Sequence, residues 1–200
     1  MYKKTKIIIY KRRRIMNKAV MFLANGFEEI EGLAVVDILR RADIQIDTVS
    51  IMGTKEIVGG QNITVMADYL PEEVDFDSYD MVILPGGGMG HQNLKKCPLV
   101  EEIVRKFDAE NKYIAAICAA PTVLGGYGLL QGKNACCYGG MEDGLIGANA
   151  KDDDVVIDGK YITSRGMGTA IKFGLALMSI FKGEQAANEL SASIMSKETV

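Results

Sequence analysis

Two hundred residues, 48% of them hydrophobic, are enough for one domain with a sizeable core. The net charge of −3 hides an uneven spread: residues 1–15 hold seven of the 23 basic side chains and no acid, leaving 16 basic against 26 acidic, about −10, on the rest. So acidic a body lacks a nucleic-acid footprint, and no stretch approaches the ~20 apolar residues of a membrane span.

The basic leader encloses a single short apolar stretch, Ile7–Tyr10, with its arginines behind it, which is the wrong order and length for a signal peptide. We read residues 1–15 as a start assigned too early, with Met16 as the first residue, in preference to a functional arm. Residues 16–200 then form a single domain, without internal repeat, low-complexity tract or dividing linker.

From there strands and helices alternate, the pattern of an α/β fold with a mainly parallel sheet. Ala19–Ala24 is an apolar strand, and Asn25-Gly26-Phe27 turns into a helix over Glu28–Arg41 with acids in its first turn and arginines in its last. Ile46–Ile51 is a second strand. Val58–Met66, interrupted by Gly59-Gly60, has the look of a hairpin insertion. Met81–Leu84 is a buried strand that runs into Pro85-Gly86-Gly87-Gly88, and Leu99–Glu110 is an amphipathic helix.

Tyr113–Ile117 is a short apolar run, as expected of a buried parallel strand. Cys118 follows it, and Ala119-Ala120-Pro121-Thr122-Val123-Leu124 then starts a helix with proline in its first turn. A cysteine at such a turn faces the positive end of a helix, which lowers a thiol's pKa and favours the nucleophilic thiolate. Free cysteine is also among the most buried residue types, so the local pattern alone leaves a structural thiol equally open. Ala135-Cys136-Cys137 reads as a further strand. Val155–Ile157 and Tyr161–Thr163 flank Asp158-Gly159, a two-residue hairpin turn. Helices over Gly168–Phe181 and Glu184–Ser196 close the chain, with Thr169 placed to cap the first.

Three features fall at the C-terminal ends of strands, the edge where open α/β sheets build their sites. Beside Cys118, the glycine run Gly86–Gly90 matches neither the dinucleotide fingerprint nor a P-loop. Its backbone amides, paired with that of Ala119, could instead form an oxyanion hole. The third feature is Glu28-Glu29-Ile30-Glu31. Glu28 and Glu31 share a helix face, and Glu31 lies on the stripe with Val35 and Ile38, so it should face the core with a raised pKa and serve as acid or base. Glu29 points elsewhere and simply complements the helix dipole. His91, the one histidine, follows the glycine loop and could join the site, although a solvated surface position is the more ordinary reading. One histidine and four cysteines (Cys97, Cys118, Cys136, Cys137) without CxxC spacing give no metal site, and they suit reduced thiols in the cytoplasm.

Taken together, Asn25–Glu31, Leu84–Gly88, Ala115–Pro121 and Thr163–Thr169 resemble the motifs of the ThiJ/PfpI superfamily, most of all its Parkinson-disease deglycase branch. The resemblance is collinear from about Met16 to the last helices. It implies a flavodoxin-like three-layer sandwich, of the class I glutamine amidotransferase-like kind, usually as a homodimer. It implies a reactive Cys118, a protonated Glu31 bonded to it, and an anion pocket formed by the amides of Gly87 and Ala119; beside these, our own reading adds Gly86, Glu28, His91 and Tyr138 as accessory candidates. Relatives act without a cofactor as glyoxalases or deglycases on methylglyoxal, glyoxal and their adducts. They are also described as oxidative-stress sensors and chaperones, and distant ones as proteases. A thiazole-phosphate synthesis role attached to such sequences finds no support in the residues.

Two positions depart from that pattern. Tyr138 stands where many relatives have a histidine, and with a pKa of ~10 a tyrosine is a weak base, which speaks against peptidase-like chemistry. Met167 stands where proline is frequent, with little consequence expected.

Overall fold

Alternating apolar residues on short strands put side chains on both faces of a central sheet, and helices cover each face. The computed structural model describes residues 18–200; the basic leader and the start at Met16 lie outside the described residues. In chain order the elements are β1 (Lys18–Leu23), α1 (Glu29–Arg41), β2 (Gln45–Ser50), β3 (Glu56–Val58), β4 (Thr64–Met66), β5 (Met81–Leu84), α2 (Gly90–Lys96), α3 (Pro98–Ala109), β6 (Tyr113–Ile117), α4 (Pro121–Gly126), β7 (Asn134–Ala135), β8 (Asn149–Ala150), β9 (Val155–Asp158), β10 (Tyr161–Ser164), α5 (Ala170–Lys182) and α6 (Glu184–Ser193).

The main sheet runs β2-β1-β5-β6-β10-β9. Its first five strands are parallel, in the doubly wound order of flavodoxin-like folds, and β9 closes one edge antiparallel through a two-residue turn at Gly159-Lys160, one residue later than the expected Asp158-Gly159. On one face Met21, Ile83, Ala115, Ile117 and Ile162 pack with Val35 and Ile38 of α1 and Phe173 and Leu177 of α5. On the other, Phe22, Val82, Leu84, Ile114 and Ala116 pack with Ile103 and Phe107 of α3 and Val123 and Leu124 of α4. α1 and α5 meet closely at Gly174, where a Cβ would lie 2.7 Å from Ile38 Cδ1. The parallel register aligns Leu84 with Ala116 and Ile117 with Ser164, so the ends of β5, β6 and β10 share one edge.

Several local expectations change. The glycine run does not continue as a loop: α2 starts at Gly90 and meets α3 after Cys97 alone. A leading glycine and one buried apolar residue, Leu94, give too little periodicity to reveal a seven-residue helix. Cys136 and Cys137 belong to no strand, because the Cys136 N–H donates to the Thr163 hydroxyl (2.9 Å) instead of to a ladder carbonyl. Thr169 precedes α5 but its side chain does not cap that helix; its hydroxyl accepts from the Gly166 N–H (3.2 Å), donates to the Gly166 carbonyl (2.9 Å) and lies 2.7 Å from the Ser164 hydroxyl. The β3–β4 hairpin forms as expected, as a separate antiparallel pair. All four cysteines are free. Among the described residues no helix is long and apolar enough to cross a membrane.

Candidate active site

Cys118 ends β6 in a left-handed conformation, φ 65°, rare for a residue with a side chain. Such strain persists only where the surroundings impose it. Here the Cys118 N–H donates to the Ser164 carbonyl (2.9 Å), and its own carbonyl accepts from Tyr138 N–H (2.8 Å). The turn that follows is closed by the Thr122 hydroxyl donating to the Ala119 carbonyl (2.7 Å), and Pro121 opens α4. The bend aims the half-buried thiol into a cleft of about 360 Å³ on the strand-end edge of the sheet.

Glu31, in the first turn of α1, is only 1% exposed. The Gly86 N–H donates to its Oε2 (3.1 Å), the Met167 backbone also bonds it, and its side chain hydrogen-bonds Cys118. Burial pushes the carboxyl up to about 7; the Cys118 bond acts against this, and the charge of Glu28 adds to it. The core-facing position expected from the Val35–Ile38 stripe is therefore the observed one.

The expectation of a thiol lowered by helix position is corrected. Burial pushes Cys118 up to about 12, and the neighbouring Glu31 adds to the rise, while amides of Gly87 and Ala119 pull it down. Six-residue α4 is too short to reverse this. Thiol and carboxyl compete for protons in one buried space and must titrate together.

Gly86 and Gly87 cannot be replaced without loss. A Cβ at Gly86 would sit 2.5 Å from Glu31 Oε2 and 2.6 Å from Cys118 Cβ; at Gly87, φ 99°, it would sit 2.3 Å from the Gly26 carbonyl. Glycine thus lets β5 deliver the Gly87 amide to the sulfur, where it meets the Ala119 amide.

Glu28, His91 and Tyr138 all line the cleft. His91 is half-buried in α2, with Nδ1 2.9 Å from the Gly87 carbonyl, rather than solvated on a loop. Tyr138 is 55% exposed at the rim, and its backbone holds Cys118. Met141 and Met167 also line the cleft, although the sequence led us to expect little consequence from Met167. The position of Met167, just past a strand end, is the signal that marks it. Among the described residues no group of three or more His, Cys, Asp or Glu side chains is placed to hold a metal ion.

Glu29 is the second correction. It is buried, and its Oε1 accepts from the N–H groups of Gln61 (2.8 Å) and Ile63 (3.4 Å), tying the β3–β4 loop to α1. Glu29→Ala is expected to cost about 1–3 kcal/mol in urea denaturation, because two amides lose their acceptor. A cost under ~0.5 kcal/mol would return Glu29 to a mere complement of the helix dipole.

Compared with known proteins, the chain matches the DJ-1/PfpI family over residues 17–180. It is 35% identical over 179 residues to the Drosophila melanogaster protein dj-1beta, covering 88% of this chain and 96% of that one. With the Caenorhabditis elegans protein named glutathione-independent glyoxalase DJR-1.2 it shares 32% identity over 165 residues, 82% of this chain and 87% of that one. It spans only 41% of the Arabidopsis thaliana protein DJ-1 homolog B, at 34% identity over 89% of this chain. Among solved structures, oxidized DJ-1 from Toxoplasma gondii superposes with a TM-score of 0.86 at 30% identity, covering 90% of this chain and 98% of that one.

Proposed function

The chain belongs to the DJ-1/PfpI family, and from that premise we propose that it is a cysteine-dependent glyoxalase or deglycase that needs no cofactor, acting on methylglyoxal, glyoxal or their adducts. The observation that carries this reading is the convergence of Cys118, the Glu31 carboxyl and the amides of Gly87 and Ala119 on one cleft. The name of the worm relative supports it.

Once the pair has lost one proton the carboxylate is its favoured form, and the reactive form is the tautomer in which the remaining proton has moved from the thiol to Glu31, so that a thiolate faces two amides and a carboxylic acid. The sulfur adds to the aldehyde carbon of methylglyoxal, and the carbonyl electron pair moves to oxygen, which takes a proton to give a hemithioacetal. Glu31 carries the proton from that carbon to the neighbouring ketone carbon while the hemithioacetal hydroxyl proton passes to the ketone oxygen, yielding a thioester of the hydroxy acid. Water then cleaves the thioester, releasing lactate and the thiol, so the balance is dicarbonyl plus water. With an adduct, the C–S bond forms as the amine or thiol leaves with a proton. The test is lactate production from methylglyoxal by wild type and Cys118→Ser.

One observation favours a second reading, a sensor that acts through oxidation. Cys118 is half-buried at a cleft while Cys136 and Cys137 are buried, and one similar structure is of an oxidized protein. Peroxide would convert the thiolate to sulfenate and water, and a second equivalent would give sulfinate. Mass spectrometry after mild peroxide is expected to find Cys118 modified first; uniform oxidation across all four cysteines removes this reading.

A further inference from the structure

The cleft at Cys118 has a neighbour. A second cleft of about 370 Å³ opens beside it, and His91 and Met141 line both. Lys95 lies one helical turn beyond His91 on α2 and lines the second cleft with Thr122 and Asp143. Its aliphatic stem rests on α4: a Cβ at Gly126 would lie 3.6 Å from Lys95 Cε and 3.9 Å from Nζ. Gly126, Gly140 and Gly144 also line this cleft. Neither Lys95 nor Asp143 joins an ion pair among the described residues. On the opposite side of the site Arg165, by contrast, is held by Asp152 at 2.7 Å.

An exposed cation without a partner carboxylate, in a cleft that shares the His91–Met141 wall with the nucleophile's cleft, is a recognition element for an anion. A three-carbon dicarbonyl fills little of this space, since clefts of ~300 Å³ and more suit ligands of drug size. We propose that the second cleft is a specificity subsite in which Lys95 binds a carboxylate on the amine or thiol part of an adduct whose carbonyl-derived carbon lies at Cys118. The identity of the substrate as an adduct rests on the glyoxalase/deglycase reading; the anion subsite rests on Lys95 and the shared wall. Asp143 shares the cleft and opposes such an anion, so its charge sets the limit of the attraction.

The test uses two alkylating probes, N-iodoacetyl-β-alanine and its amide. Both react by the same step, in which the Cys118 sulfur bonds to the methylene carbon as iodide leaves, and they differ in the carboxylate of the tail. Mass spectrometry follows labelling at Cys118, and the quantity read is the acid-to-amide rate ratio. At low ionic strength the wild-type ratio is expected to exceed that of Lys95→Gln by roughly two- to fivefold, the range of an exposed charge pair. Lys95→Arg should keep the ratio, Asp143→Asn should raise it, and added salt should erase the difference. Equal ratios in wild type and Lys95→Gln overturn the subsite. Labelling needs no turnover, so a wild type that makes no lactate defeats the glyoxalase reading while the ratio still decides the subsite.

Discussion

Replacing Cys118 with serine is expected to lower lactate formation from methylglyoxal by at least about a thousandfold in kcat/KM, or about 4 kcal/mol of transition-state stabilisation. A serine hydroxyl stays protonated where a thiolate forms, so it cannot open the reaction by adding to the aldehyde carbon. The fold should survive. Serine is close to cysteine in size, and the backbone bonds that hold the φ of 65° come from Ser164 and Tyr138 rather than from the sulfur. Lactate production equal to wild type would place the chemistry elsewhere, and circular dichroism separates lost chemistry from lost structure.

Replacing Glu31 with glutamine should change two pH profiles. In the wild type, iodoacetamide labelling of Cys118 is expected to rise through an inflection near 7, where the buried pair gives up its first proton. Glutamine cannot titrate, so the variant should lose that inflection, and because it removes the carboxylate that helps to raise the thiol, its labelling should go on climbing above pH 7 where the wild type levels off. A wild-type rate that climbs only with the ordinary alkaline ionisation of a thiol would defeat the shared-proton scheme.

The second profile is stability. The Glu31 carboxyl is raised from 4.5 to about 7 in the folded state, so between those values the folded chain binds more protons than the unfolded one. Its contribution is therefore full below pH 4.5 and is lost as pH rises through about 7, a change of about 3 kcal/mol. Urea midpoints of the wild type, taken against Glu31→Gln from acid to neutral pH, should show that decline. A constant difference would mean that Glu31 titrates at its ordinary value in the folded chain.

Much of this site was legible in the chain. Cys118 at the end of an apolar run, the glycines after Leu84 and the stripe of Glu31, Val35 and Ile38 all follow from strand and helix periods. Glu29 was misread because its position in a first turn is locally satisfied by the dipole. Only the folded chain brings the loop at Gln61 and Ile63 onto it. α2 escaped notice because a short glycine-led helix carries almost no periodic signal, and with it went the placement of His91 and Lys95.

The chain by itself therefore determines the alternating elements, the parallel sheet and the strand ends at which chemistry collects, because these depend on side-chain period and turn residues close in sequence. The tertiary structure alone decides the charge state of the site. Burial raises both Glu31 and Cys118, parallel register delivers the Gly87 and Ala119 amides to the sulfur, and packing of α2 on α4 sets Lys95 in the neighbouring cleft. Desolvation and coupling between charges depend on which distant segments pack together, and no local pattern carries that information.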